Sequence, residues 1–393
     1  MPEGLHATGK GGGPSPFVNA FDHPMVGSLR YNTSQAGSPV PLCYGTCRIS
    51  VNLIEGWGFS GKGSGSKGGK GLGSSGGKKS SNQSYSVDVG FGLCQGPATF
   101  TNAPYAFSGH NRVWSNGGIA GFDKVGLNGY AGNDGQAADP VFLSSDTNTP
   151  VLGYSGTCYV TGTPMQLGST PALPNISFEI GGAELDTVGA LYPGDANPAS
   201  IVVDLLTNGR YGAGFAAANL DSAGAIADWG AYCQAAELAM SLLLDKQQPC
   251  ARWLEEIAQL TVSAVLWSGN LLKIIPYGDS ALSANGASWT PNLTWQYSLA
   301  DADYIDFGTT GSSSGGSSGS DPVLLTRSDP AQATNWLSIE YMDAANSYNP
   351  QIIPVFDQGL IDQYGLRTEP TVQAHGFTNA TSAGIAAQLM LQR

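Results

Sequence analysis

The chain has 393 residues, 55 of them glycine, with only 12% charged residues and a net charge of −13. At roughly 100–200 residues per domain this length implies two to four folded units, and a charged fraction about half the ordinary ~25% favours turns and strands over exposed helices. The excess of acid over base opposes the phosphate-neutralising surface of a duplex binder, and six cysteines are too sparse for a disulfide scaffold.

The start MPEGLHATGKGGG lacks the apolar segment of a secretory signal, so ordinary secretion is not expected. Cys43 and Cys47, placed on one extended strand, would lie ~13 Å apart, beyond the ~7 Å reach of a disulfide, and are expected to be free thiols. Ile49, Val51 and Leu53 alternate with Arg48, Ser50 and Asn52; Tyr85, Val87, Val89, Phe91 and Leu93 alternate with Ser86, Asp88, Gly90 and Gly92. Period two marks both runs as half-buried strands. Between them residues 60–83 are almost wholly Gly, Ser and Lys, with no apolar surface to offset the entropy of ordering, so the segment reads as a long hairpin with a mobile tip. From about 100 to 190 Gly, Pro, Asn and Asp dominate, with short apolar runs at Tyr159–Thr161 and Ile176–Ile180, the texture of irregular β structure.

From Asn197 to Gly278 the pattern becomes α/β. Asn197 is placed to cap a helix with Pro198 in its first turn, Ile201, Val202, Leu205 and Leu206 form its stripe, and Gly209 stops it. A second helix is expected from near Ser222, with Ile226, Trp229 and Cys233 on one face, followed by a strand over Leu238–Leu244. After Pro249, the spacing of Trp253, Leu254, Ile257 and Leu260 predicts a third helix. Val262–Trp267 is expected to pair with Leu271–Ile275 across Ser268, Gly269 and Asn270. The longest apolar run here, Leu260–Trp267, is far short of the ~20 residues that span a bilayer, so stable membrane insertion is not expected. Residues 308–320 are a second Gly/Ser tract, a linker or another loop tip. Beyond it Leu337, Ile339 and Tyr341 alternate, Ile352–Phe356 follows, and a helix capped by Asn379 or Thr381 is expected to bury Ile385, Ala386, Leu389 and Met390. That ending lacks a closing strand, so a longer product is expected.

Catalytic chemistry finds little support. Gly56, Gly61 and Lys62 begin a phosphate-loop spacing, but Gly63 stands where a hydroxyl must ligate magnesium. His6, His23, His110 and His375 are far apart, with no helical metal-ligand pair, and His375 beside Gly376 reads as a turn residue. Glu255 and Glu256 sit on the solvent side of a helix, and Asp301, Asp303 and Asp306 fail the calcium-loop pattern because Ile305 occupies an acidic position. No catalytic residue, metal or cofactor is assigned.

Phrases in a fixed order are more specific. SPVPLCYGTCRISVNLIEGW (38–57) precedes the Gly/Lys tract, then SYSVDVGFGLCQGP (84–97), LNGYAGNDGQAADP (127–140), NPASIVVDLLTNGRYG (197–212), WLEEIAQLTVSAVLWSGNLLKIIP (253–276) and YMDAANSYNPQIIP (341–354). DQYGLRTEPTVQAHGFTNATSAGIAAQLMLQR (362–393) closes the series. This series resembles the tail-tip hub proteins of long flexible-tailed bacteriophages, the tip attachment protein J type, also found in gene-transfer agents. The resemblance runs from about residue 28 to the end.

It implies a mainly β chain with an α/β module: two β-barrel-like tube domains in each subunit of a homotrimer, forming a pseudo-sixfold ring on the hexameric tail tube. By this likeness residues 1–27 are an N-terminal arm, and 28–190 are the first tube domain with its flexible loop at 60–83. Residues 191–300 are then the module, 301–320 a linker or loop, and 321–393 a second tube domain that the family usually continues further. The implied role is structural, in the virion tail tip after assembly in the host cytoplasm. Implied partners are a distal tail protein ring, the tape measure protein, fibre or other tip proteins, and passing DNA that is not bound specifically. Lys62, Lys67, Lys70, Lys78 and Lys79 are the candidate partner-contacting loop. A virion-associated cell-wall hydrolase and a receptor-binding adhesin are the alternatives.

Overall fold

The computed structural model describes residues 39–63, 83–99, 106–108, 111–112, 126–140, 152–173, 176–183, 194–294, 297–300, 303, 329 and 332–393. The N-terminal half is β-rich. Strands β1 (Leu42–Tyr44), β2 (Thr46–Ser50) and β3 (Asn52–Gly63) follow one another almost without interruption, and β4 (Gln83–Gln95) returns antiparallel to β3, the hairpin expected from the alternation. Strands β5 (Ala106–Ser108), β6 (Asn111–Arg112), β7 (Gly126–Tyr130), β8 (Thr157–Gly168) and β9 (Ile176–Gly181) complete two four-stranded sheets, ordered β2-β9-β5-β6 and β3-β4-β8-β7. Ile49, Ile176 and Phe178 from one sheet and Val89, Phe91 and Val160 from the other share a single buried core. Among the described residues no sheet closes into a barrel; the barrel-like domains expected from the resemblance are open layers, with β2, β3, β6 and β7 as edges.

One expectation is overturned at the start of this half. Cys43 and Cys47 do not share an extended strand, because Gly45 takes φ +67° and breaks the chain between β1 and β2. Only glycine enters that region without steric cost, and a Cβ there would meet Ser241 Oγ at 2.4 Å. After the bend Cys43 Sγ donates to Gly45 O at 3.5 Å and Ile180 O at 3.8 Å, and Cys47 Sγ donates to Tyr44 O at 3.4 Å. Cys94 and Cys158 face each other across β4 and β8. Burial, then Cys47, pushes Cys43 up; contact with Cys94, then burial, pushes Cys158 up. Such neutral, enclosed thiols are poor nucleophiles. All six cysteines are free.

The second core is helical and β together. Helix α1 (Pro198–Thr207) begins where expected: Asn197 Oδ1 accepts from Ala199 N at 2.9 Å, while its Nδ2 donates to Gly230 O on the next helix at 3.1 Å. Helix α2 (Ala225–Ala235) buries Ile226, Trp229, Tyr232 and Cys233. The run Leu238–Leu244 is not one strand. Leu238, Ala239 and Met240 are buried, Met240 bridges Ala196, and only β10 (Leu242–Leu244) is a strand, paired with β1 from the far end of the chain. Helix α3 (Cys250–Leu260) leads into a hairpin of β11 (Ser263–Ser268) and β12 (Leu271–Pro276). Its turn has two residues rather than three: Ser268 pairs with Leu271, and Gly269 and Asn270 both have φ +62°. This is the handedness that matches strand twist. Strands β13 (Leu282–Ala284) and β14 (Ala287–Trp289) repeat the device with Asn285 and Gly286.

The C-terminal segment packs onto the same core. Strand β15 (Trp336–Asp343) lies between β16 (Asn349–Phe356), antiparallel, and β17 (Val372–Gln373), parallel. Helix α4 (Gln358–Tyr364), capped by Asp357, connects the last two strands. Helix α5 (Ala380–Gln392) uses Asn379 as its cap, accepting from Ser382 N at 2.8 Å. Its buried face is Ser382, Ala383, Ala386 and Ala387, with Ile385, Leu389 and Met390 only half-buried. Small side chains sit where helix and sheet approach, and the larger ones fill the rim. Ile339, Tyr341 and Phe377 join Trp229 and Ile257 in one continuous core.

Candidate functional site

Three parts of the chain meet at a buried carboxylate. Asp195, just before α1, accepts from Ser241 Oγ at 2.5 Å, Thr378 Oγ1 at 2.9 Å and Asn379 Nδ2 at 3.3 Å. Ser241 Oγ in turn accepts from Thr46 N at 3.0 Å, and Thr46 Oγ1 donates to Gly194 O at 3.0 Å. The first sheet, the helical module and the cap of α5 are thus tied through one carboxyl group. Burial raises its pKa, and the three donors only partly oppose that.

The sign follows directly. Burial penalises the ionised form of the Asp195 carboxyl group, so stability is highest below the unfolded-state pKa and falls as pH rises through the raised folded value. Asp195→Asn is expected to hold or gain stability at pH 7 and to flatten this pH dependence, whereas Asp195→Ala, which strands three donors, is expected to lose about 2 kcal/mol. Urea midpoints at pH 4 and pH 7 check this; an Asn variant as damaged at pH 7 as the Ala variant contradicts it.

Beside this tie lies a cleft of about 990 Å³ between the first sheet, the module and the last sheet. One wall is the outer edge of β2, with Thr46, Arg48 and Ser50; the opposite wall is the β17 edge, with Thr371 and Gln373. The floor comes from β10 and α3. Arg48 Nε donates to Ser177 Oγ at 2.7 Å and Nη1 to Ser347 O at 2.9 Å, so it braces the β15–β16 turn against the first sheet. Ser347 and Tyr348 both take φ +57°, a strained conformation for side-chain-bearing residues. Tyr348 is buried there and its hydroxyl reaches Thr46 O at 3.5 Å. Lys246, Arg252 and His375 also line the cleft; His375 Nε2 is 2.7 Å from Glu340 Oε1, and Arg252 pairs loosely with Glu256 at 3.5 Å. Gln248, on the same lining, has its amide nitrogen buried with no hydrogen-bond partner.

Of the candidate loop, Lys62 is exposed near the end of β3, opposite Ser84; Lys67, Lys70, Lys78 and Lys79 lie outside the described residues. His375 is a turn residue, Glu255 and Glu256 are exposed on α3, and Asp303 accepts from Ala300 N at 2.8 Å. His6, His23, His110, Asp301 and Asp306 lie outside the described residues. Among the described residues no group of three or more His, Cys, Asp or Glu is placed to hold a metal ion, and no helix is long and apolar enough to cross a membrane. Asp195, Arg48 and Gln248 carry no local sequence signal, because the side-chain partners described above lie 46 or more residues away or are absent.

Residues 250–393 match the family model described as "Putative phage tail protein". The whole fold is similar to a chain of the structure titled "Virion of native gene transfer agent (GTA) particle", with TM-score 0.54 and 15% identity, covering 93% of this chain and 74% of that one. No curated protein matches. Together the family match and the shared fold support a structural component of a phage-tail-like virion.

Proposed function

We propose that the chain forms a trimeric hub at the distal end of a phage tail tube, adapting the hexameric tube to a trimeric tip and lining part of the DNA exit channel. The observation that carries this is a fold shared along nearly the whole chain with a virion component, joined to a tail-protein family match over the C-terminal third. Two β-rich parts on either side of an α/β module supply what three subunits need to imitate six. The net charge of −13 suits a channel wall along which DNA slides without being held.

The role is assembly, not catalysis, and its place is the virion tail tip. The partners are two further copies, the distal tail ring, the tape measure protein and tip fibres. The loop bearing Lys62, Lys67, Lys70, Lys78 and Lys79 seals against a neighbouring ring. A reconstruction of purified particles tests these assignments together. Three copies with acidic residues outnumbering basic ones on the lumen wall, and with that loop against a neighbour, are expected. A channel lined chiefly by Arg and Lys contradicts the proposal.

A further inference from the structure

Of the eleven large apolar side chains exposed among the described residues, eight fall into two groups. The first is an arm. Trp289 packs edge-on against Tyr232 of α2 and lies over Gly278, where an added Cβ would meet its ring at 2.8 Å. The described residues from 290 to 300 belong to no sheet or helix, and Leu293, Tyr297 and Leu299 are 71%, 84% and 63% exposed. Ile275 and Tyr277, next to Gly278 where the arm leaves the fold, are half-exposed as well. Such grouping marks an interaction surface rather than scattered exposure.

The second group lies on the C-terminal sheet. Leu337, Ile339 and Tyr341 of β15 are buried in the core, so the alternate residues face outward: Trp336 beside Phe356, stacked at 5.2 Å, and Glu340 beside Ile352. Leu366 stands two residues before Thr368, which bridges Trp336. Ile352, Phe356 and Leu366 are 58%, 49% and 56% exposed. The edge of β16 is unsuited to a further strand. Ala374 N donates to Glu340 O and Met342 N donates to Phe377 O, so even-numbered residues of β15 bond away from β16 and odd-numbered ones bond toward it. By the register, Pro350, Ile352, Pro354 and Phe356 are then the β16 residues whose backbone points outward. Two of these four have no N–H, which blunts the edge. A partner covers this patch face-on, through side chains.

At roughly 150–250 Å² for a whole large side chain, the arm group leaves about 500–750 Å² in solvent and the sheet face about 250–400 Å². Set against each other they supply about 1,000 Å² of apolar surface, which with a polar rim reaches the ~1,200–2,000 Å² of a specific interface. Arm against arm would close as a twofold dimer and leave the sheet face in solvent, whereas a threefold ring needs two different surfaces on each copy. We propose that the arm at 293–299 of one copy packs across the outer face of β15 and β16 of the next copy, head to tail around the ring, with Tyr297 against Ile352 and Phe356. The inference rests on the trimeric reading above and names the two surfaces that build it.

The test uses the full-length chain with photoreactive benzoylphenylalanine in place of Tyr297, mixed as isotopically heavy and light copies. Heavy-to-light cross-links from position 297 into the peptide that holds Ile352 and Phe356 are expected. In sedimentation, Leu293→Ser, Tyr297→Ser and Leu299→Ser together, and separately Ile352→Asp, are expected to raise the dissociation constant of the trimer about a hundredfold or more. Urea midpoints of the dilute monomer should stay at the wild-type value, because these side chains are already in solvent, and Tyr297→Phe should leave trimer formation intact. Cross-links confined to arm–arm pairs, variants that trimerise as well as wild type, or a wild-type chain that stays monomeric at every concentration reached overturn the inference. The copy number in particles tests the trimeric reading separately: three copies without the arm-to-face cross-link remove this contact alone, and any other count removes the reading whatever the cross-link shows.

Discussion

Replacing Trp229 by alanine is expected to destabilise the chain by about 3–5 kcal/mol, the range for emptying a fully enclosed aromatic site. The indole lies on α2 with no exposed surface, inside the core that joins the module to the C-terminal sheet. Collapse around the void is hindered on one side, because Gly230 already packs against Ala199: a Cβ at Gly230 would sit 3.0 Å from Ala199 Cβ. Trp229→Phe separates volume from polarity. The indole nitrogen is buried without a hydrogen-bond partner, so phenylalanine removes an unmet donor while keeping most of the apolar contact. The expected loss is about 1 kcal/mol or less. Urea unfolding of the two variants gives the comparison; an alanine variant within about 1 kcal/mol of wild type contradicts the placement of this core.

Gly182→Ala is expected to cost about 3 kcal/mol or more, by a different mechanism. No left-handed conformation is involved. A Cβ there would sit 1.9 Å from Cys43 O and 2.4 Å from Cys43 C, both backbone atoms that no rotamer change can move. The crossing is locked from both sides: Gly182 N donates to Gly45 O at 2.7 Å, and Ala183 N donates to Cys43 O at 2.9 Å. Pushing the strands apart breaks these bonds where β1, β2 and β9 converge. Gly209→Ala is the control, since nothing lies within 4 Å of its added methyl, and it should change stability by no more than about 0.5 kcal/mol. Equal midpoints for the two variants would mean that the segments do not cross as described.

What could be read from residues alone follows the range of the interactions. The Asn197 cap, the Pro198 start and the strand alternation at Val87, Val89, Phe91 and Leu93 are local patterns, and the structure places them as expected. The short α4 was missed although Asp357 and Gly365 bracket it, because seven residues with no buried face carry no periodic stripe. Pairing of Leu42–Tyr44 with Leu242–Leu244 joins segments 200 residues apart, and no local pattern encodes it. The misplacement of Cys43 and Cys47 has a single cause: Gly45 reads as one more strand residue until the close approach of Ser241 and Met240 shows that the chain must turn there. The cleft was out of reach for the same reason, since its walls come from three separate stretches and its most telling group, the Gln248 amide, is defined by a partner it lacks.

The copy number and rotational symmetry of this chain in purified particles test the central claim most directly. Native mass measurement or a symmetry-free reconstruction is expected to find three copies, each presenting two β-rich walls to a sixfold tube. Six equivalent copies, or a monomer that never enters the particle, would contradict the account.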